Sequence, residues 1–458
     1  MKLVQTIYSF LWGDLFTIPL PGQSEMGISL LILLLIPAGL FFTIRTKFLP
    51  FRLFPEMLRI SVGKSEKTAE NSISGLQALI VSTATRVGMG NLVGVVAAIS
   101  AGGAGAIFWM WIIALLGSST AFVEGTLAQL YKEKDPLYGG YRGGPAYYIH
   151  ALFTKKKPRR YCLIAVLFAI SGLICWCGIS QVISNSVAST FQNAFHIPPL
   201  YTSICLVILA AFIVLRKNAT VKVLDILVPI MAGGFFLVTV FIILKNITLL
   251  PSVFVRIIQE AFGLKQVAGG GIGAVIMNGA KRGLFSNEAG SGSAPCAAAA
   301  ADIDHPAKEG LLQSLGVFID TLVICTCTAM IMLLCPESLT KGLEGMELLE
   351  VAMNYHLGMC GVYFIAIVLW LFSFSTFIGI LFYARSNIAY LFGDRWLWQT
   401  LYKVLALIML FIGGLASYTF VWDLGDIGIG LMTIFNMIAL VPLAKEALSS
   451  LEDYERKK

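Results

Sequence analysis

Apolar residues fall into eleven runs separated by polar segments: Gly27–Ile44, Ile73–Ala101, Ala104–Leu130, Tyr161–Phe191, Pro199–Leu215, Lys222–Leu244, Val267–Ala301, Gly310–Leu334, Cys360–Ala384, Trp398–Ala416 and Val421–Leu443. About 20 helical residues cross the hydrocarbon of a bilayer, and backbone in lipid is satisfied only in helices or closed barrels. The pattern predicts an all-α polytopic membrane protein with 11 transmembrane helices. One run is interrupted. Within Ile73–Ala101 lies Ala84–Gly94, ATRVGMGNLVG. Gly88 and Gly90 disfavour helix, and Arg86 and Asn91 are expensive in hydrocarbon. This reads as a membrane helix that breaks halfway. Its freed backbone groups must be met by protein, ligand, ion or water, and such breaks point to transporter sites. A kinked helix with a glycine packing face is the alternative at this point.

With the first run set aside, the other ten divide five and five, into 73–244 and 267–443. Five is odd, so the second set starts from the opposite side of the membrane. That is an inverted repeat, whose halves meet at a central site. An offset of 196 places Ala84, Arg86, Asn91, Gly94 and Ala98 on Ala280, Arg282, Asn287, Gly290 and Ala294, and Glu124 on Asp320. Ala280–Ala294, AKRGLFSNEAGSGSA, is therefore predicted to be a second broken helix. The chain then reads as a lead-in, an extra helix and a basic loop (1–72), a first repeat (73–244), a linker (245–266), a second repeat (267–443) and a tail (444–458).

Charge adds orientation. Of 33 Lys and Arg, only Lys2, Lys245, Arg256, Lys265 and Lys341 lie outside if the 45–72 loop is cytoplasmic, while Arg86, Lys281 and Arg282 fall within spans. The basic residues gather in GGYRGGP (Gly139–Pro145), KKKPRR (Lys155–Arg160) and other loops of that side, which argues against a nucleic-acid partner. By the positive-inside rule the N-terminus is outside and the C-terminus inside. Segments 250–266 and 336–356 are too polar to span and read as outer helices or loops. No leader with a cleavage site precedes the first run. Only 13% of residues are charged, and no segment is long enough for a separate soluble domain.

Composition also narrows the chemistry. No nucleophile–base set stands out, so an enzyme is not expected. Cys175/Cys177 and Cys325/Cys327 have no His cluster beside them, which argues against a metal site. Cys335 and Cys360 both fall outside, where a disulfide is an open option, and His150, His196, His305 and His356 all read as loop residues. GGYRGGP lacks the strand and the Lys-Ser/Thr of a phosphate loop, so no ATPase subunit is expected and transport would be driven by ions.

A ligand held at such a break needs donors and acceptors, and the freed backbone can supply both. Backbone N–H groups at the start of a half-helix, here Gly88, Met89, Gly90 and Asn91, supply the donors. Carbonyls of the preceding half-helix, with Phe285, Ser286 and Asn287, supply the acceptors. Asn91 and Asn287 either touch ligand or cap the broken halves. Trp370 and Phe374, spaced i, i+4, share a helix face and either wall the pocket or pack. Arg86, Lys281 and Arg282 need partners at membrane depth, and Glu124, Glu288 and Asp320 are the candidates. Asp423 and Asp426 stand as an outer gate with a basic residue, or as structural ion pairs.

Gly102–Gly117, GGAGAIFWMWIIALLG, resembles the signature of the alanine/glycine:cation symporter family, also called the sodium:alanine symporters. VGMGN, GGPAYYI (Gly143–Ile149), KRGLFSNEAGSGSAP (Lys281–Pro295) and FSFSTFIG (Phe372–Gly379) are similar to family blocks and in family order, over about residues 25 to 445. The resemblance implies a leucine-transporter-like fold, a five-plus-five inverted repeat with one extra N-terminal helix. It implies Na⁺-driven uptake of a small neutral amino acid such as alanine or glycine, in a bacterial inner membrane. It places Na⁺, the only cofactor-like requirement, on carbonyls near Val87 and Gly90 and on the hydroxyls of Ser375 and Thr376, with Ser373 on another face. The chain departs from the family at Met89, usually a small hydroxyl residue. It departs at Ile183, where the family's third core helix carries a glutamine and this chain has Gln181 two residues earlier. It departs again at Ala384 and Arg385, which follow Tyr383 where Gly-Glu is frequent. These departures leave open a larger substrate such as glutamine or serine, or H⁺ in place of Na⁺. A channel or a non-transporting sensor is the reading of a different class.

Overall fold

The computed structural model describes residues 2–18, 26–63, 73–155, 160–216, 219–263, 271–343, 345–416 and 418–458. The described chain is helical apart from two small hairpins, Asp14–Ile18 with Met26–Ser29 and Glu133–Lys134 with Tyr141–Arg142. Seven helices are long and apolar enough to cross a membrane, and an eighth span forms if Gly75–Arg86 and Gly90–Gly102 are taken together. Leu30–Arg45 and Pro199–Val214 are shorter apolar helices. In the most hydrophobic stretches of Met359–Phe392 and Val223–Lys245, 78% and 28% of residues are buried, so the first lies in the centre and the second turns an apolar face to lipid.

Local chemistry explains the ends. Gly75–Arg86 begins with a capping box, Ser74 and Gln77 each accepting the other's backbone N–H at 3.1 Å. Prolines open Pro145–Thr154, Pro199–Val214 and Pro306–Val317, where a missing N–H costs nothing.

Several expectations are corrected. Residues 27–29 belong to the first hairpin, and the first apolar helix starts at Leu30, capped by Ser29. His150 and His356 lie inside helices rather than in loops, while His196 and His305 stand in loop backbone at helix ends, as expected. All nine cysteines are free, so Cys335 and Cys360 are not joined. Residues 444–457 continue the last helix, which runs unbroken through Tyr418–Lys457. At about 1.5 Å per residue its 40 residues span twice the hydrocarbon thickness, so half of it stands outside. Of the basic loops, Lys64, Lys67, Lys156, Lys157, Arg159, Lys217 and Lys265 lie outside the described residues.

The free end of that last helix docks on Phe54–Val62. The Tyr454 hydroxyl donates to Glu56 at 2.5 Å, Lys458 pairs with Glu56 at 2.7 Å, and Arg52 with Glu455 at 2.6 Å. Burial raises the Glu56 carboxyl, but hydrogen bonds from Lys458 and Tyr454 and the charges of Lys458 and Arg59 outweigh it and hold it below its usual range. A depressed carboxylate contributes stability above its unfolded pKa, about 4.3, and loses it as pH falls through the folded value. The Glu56 contacts of the docked end are therefore insensitive to pH near neutrality.

On the opposite face, helix Leu250–Ala261 covers the start of Gly105–Leu130. Glu260 accepts the Ala104 N–H at 2.6 Å, and Trp109 donates to the Ala261 carbonyl at 3.2 Å. The N-terminal helix Lys2–Trp12 reaches the same face, with Trp12 donating to the Asp426 carbonyl at 3.0 Å.

Candidate functional site

The first broken helix bends by 45° between Gly75–Arg86 and Gly90–Gly102. In a continuous helix the Gly88 N–H would bond to Ala84. Here it donates to Asn91 Oδ1 at 3.1 Å, which leaves the Ala84 carbonyl without its helical donor. Two hydroxyls from the facing helix Met359–Phe392 turn to that carbonyl, Ser375 at 3.2 Å and Thr376 at 3.5 Å. Both also reach the Phe372 carbonyl, at 2.9 and 2.8 Å. Two carbonyls and two hydroxyls thus converge, an all-oxygen set of the kind a hard cation prefers. The Ala84 and Phe372 carbonyls were not foreseen. Their only signal in the sequence is their spacing from Gly88 and Thr376.

The donors expected for a ligand are partly engaged by the protein. Besides the Gly88 N–H on Asn91, the Met89 N–H donates to Thr376 Oγ1 at 3.1 Å. The backbone at Gly90 backs onto the second broken helix, where an added Cβ would lie 3.3 Å from Ser286 Cα.

The second broken helix runs as Ile272–Asn287 and resumes at Pro295–Ala298. Between them Glu288 is left-handed, and Gly290 and Gly292 have φ of 89° and 84°, which glycine adopts without strain. Their N–H groups both point at Glu124, Gly290 at 2.9 Å and Gly292 at 3.0 Å. Asn436 adds a third bond to the same carboxylate at 2.6 Å. Asp320 does the same for the first break, accepting from Asn91 Nδ2 at 2.7 Å and from the Ser286 hydroxyl at 2.9 Å. Glu124 in 73–244 therefore holds the second break, and Asp320 in 267–443 holds the first.

Arg86 is the main correction. It is fully buried, yet it pairs with none of its expected carboxylates. Nη1 donates to the Gln313 backbone carbonyl at 3.1 Å, and Nε and Nη2 have no acceptor among the described residues. Glu288 accepts from Thr85 at 3.4 Å. Asn287 Oδ1 caps the Ala289 N–H at 3.0 Å.

Lys281 and Arg282 share Asp426, at 2.6 and 3.2 Å, and not Glu124, Glu288 or Asp320. The Arg282 guanidinium lies 4.1 Å from the Trp422 ring centre, and Trp422 packs on Phe285 with centroids 4.9 Å apart. Above this layer is a cavity of about 250 Å³ lined by Tyr8, Ser100, Arg282, Trp422, Asp423 and Asp426, among others. Below it, Phe285 reaches Gly90 and Gly94. One layer of side chains thus separates this cavity from the break. Asp426→Asn removes the carboxylate with which both buried cations pair. We expect a loss of about 3 kcal/mol, read by thermal unfolding in detergent; an unchanged melting temperature would contradict the shared pairing.

Trp370 and Phe374 stack at 5.7 Å on the helix that carries Ser375. Gln181 turns toward Trp396–Gly413, its amide 3.2 Å from Met409 Sδ, and Ser373 is buried with its hydroxyl unpartnered among the described residues.

The fold has solved counterparts. Over 83% of this chain and 90% of the other, it superposes on MhsT, solved in complex with L-phenylalanine, with TM-score 0.59 and 14% identity. That likeness shows a shared fold. The profile of the sodium:alanine symporter family matches residues 22–458, and the chain belongs to that family. It is 42% identical to the amino-acid carrier protein AlsT of Bacillus subtilis, over 93% of this chain and 90% of AlsT. It is 43% identical to the probable sodium/glutamine symporter GlnT of the same organism, over 94% and 88%.

Proposed function

We propose that this protein is a Na⁺-coupled symporter that carries a small neutral amino acid, alanine or glycine, into the cell by alternating access. The observation that supports this most is the convergence of the Ala84 and Phe372 carbonyls with the Ser375 and Thr376 hydroxyls beside a helix break. Na⁺ on these oxygens ties the first broken helix to Met359–Phe392, and its departure frees the two to separate. The amino acid lies beside Gly90, between the break and Phe285–Asn287. The Phe285–Trp422–Arg282 layer closes over it from the outer side, with the N-terminus outside and the C-terminus in the cytoplasm.

The ten core helices form a five-plus-five inverted repeat in this reading. The reciprocal grips of Glu124 and Asp320, 196 residues apart, support it. So does Ser118, whose hydroxyl lies 2.6 Å from that of Ser314, its own counterpart at that offset. A residue that touches its counterpart sits on the axis relating the halves.

Uptake of labelled alanine into proteoliposomes tests the function. Equal uptake with and without a Na⁺ gradient would exclude the coupling. Ser375→Ala and Thr376→Val each remove one oxygen, and we expect the Na⁺ concentration for half-maximal uptake to rise about tenfold, equivalent to one charge-assisted contact. The second reading, glutamine as substrate, has the GlnT likeness in its favour. Competition by glutamine but not alanine would establish it.

A further inference from the structure

Glu309 lies away from the site above, in the first turn of Pro306–Val317, and is fully buried. Its Oε1 accepts from the Gln313 side-chain amide at 2.7 Å. Its Oε2 has no hydrogen-bond partner among the described residues, and neither has the side-chain carbonyl oxygen of Gln313. A buried carboxylate with a single donor is an expensive arrangement, and an orphaned amide oxygen one turn away adds to it. One hydrogen atom changes both. A protonated carboxyl gains a donor, and the carboxamide that already donates to it has a free acceptor to receive it.

We propose that Glu309 is a proton-binding site, in which its protonated carboxyl and the Gln313 carboxamide form an acid–amide pair that exchanges its proton through the C-terminal face. This rests on the symport reading, because the exchange step uses the motion of the first broken helix.

The surroundings supply the route. A cavity of about 570 Å³ opens on that face, with Gly75, Ile303, His305, Lys308 and Leu312 in its wall. A Cβ at Gly75 would lie 2.9 Å from Ile303 Cδ1, 3.0 Å from Leu312 Cδ1 and 3.3 Å from Glu309 Oε2. These three residues are the layer between cavity and carboxyl. Gly75 begins the first broken helix, so a tilt of that half-helix uncovers Glu309.

No cation takes the proton's place. Lys132, beyond the end of Gly105–Leu130, faces Glu309 but is held by Gln129 Oε1 and the Ala301 carbonyl, each at 2.8 Å. Arg86, from the break, faces it too and binds the Gln313 backbone. Beside Glu309 in its own segment, Lys308 pairs with Asp304 and His305 with Asp453. Among the described residues, none of these forms an ion pair with Glu309.

The test uses the full-length protein in proteoliposomes with fixed outer conditions and internal pH set from about 6 to about 8. Na⁺-driven alanine uptake is measured for the wild type, Glu309→Gln and His305→Asn. Glutamine places an NH₂ where the proton would be, and so imitates the protonated state. We expect the wild-type initial rate to change at least about threefold over this range, as titration of one group allows. Glu309→Gln gives a ratio near one. His305→Asn, which removes the histidine of the cavity wall, keeps the wild-type ratio.

Melting in detergent gives a readout independent of transport. A folded chain that holds a proton the unfolded chain releases gains stability as pH falls. The wild type therefore gains more on going from high to low pH than Glu309→Gln does. A wild-type uptake ratio of one overturns the proposal. So does a Glu309→Gln variant that keeps the wild-type ratio or the wild-type melting difference. If the wild type shows the melting difference but no Na⁺-driven uptake, the symport reading falls and the proton site stands.

Discussion

Replacing Glu124 by glutamine is expected to lower stability by about 3 kcal/mol and to abolish uptake. Both carboxylate oxygens act as acceptors: one takes the Gly290 N–H, the other the Gly292 N–H and the Asn436 amide. Glutamine keeps one oxygen and turns an NH₂ toward a donor, so at least one buried N–H loses its partner and meets a like group. The glycines cannot turn away, because Asn436 also holds the Gly290 carbonyl, at 3.0 Å. Thermal unfolding in detergent, with and without saturating alanine and Na⁺, measures the loss. Glu124→Asp retains both acceptors at shorter reach and falls between. If Glu124→Gln melts like the wild type, Glu124 does not hold the unwound segment.

Gly88→Ala is expected to abolish Na⁺-dependent uptake, while Gly90→Ala, beside the amino acid, raises the alanine concentration for half-maximal uptake and keeps its Na⁺ dependence. A Cβ at Gly88 would lie 1.9 Å from Thr376 Oγ1 and 2.9 and 3.0 Å from the Thr85 and Ala84 carbonyls. The first of these belongs to the facing helix, so the Thr376 hydroxyl has to turn away or withdraw, and the oxygen set placed around Na⁺ loses it. Overpacking of this kind costs about 1–3 kcal/mol in stability, which the fold survives. At Gly90 the nearest atom is 3.3 Å away, within reach of a small adjustment. Uptake and its Na⁺ dependence, measured side by side for the two variants, decide the matter. Equal losses would mean that packing at the break matters and the Thr376 contact does not.

The long helices were legible because lipid demands length and apolarity, which are one-dimensional properties of a sequence. The breaks were legible because glycine, arginine and asparagine stand out against hydrocarbon. What Arg86 and Glu124 bind was not legible. Each binds backbone groups, the Gln313 carbonyl and the Gly290 and Gly292 N–H groups. Any residue supplies such groups, and only the three-dimensional path of the chain brings them to hand. The Ala84 carbonyl was missed for the same reason. An inventory of polar side chains pairs charge with charge, and so set Arg86 against carboxylates that are occupied elsewhere. The reach of the last helix was missed because apolarity ends at Leu443 while helicity continues to Lys457.

The docked end of that helix also has a use at the bench. Lys458 is tied to Glu56 beside the cavity that leads toward Glu309, and both line it. A fluorophore placed there would sit at the mouth of that route and serve as an optical gauge of its opening. For the same reason, an affinity handle fused directly after Lys458 would crowd that mouth, so a spacer belongs between them.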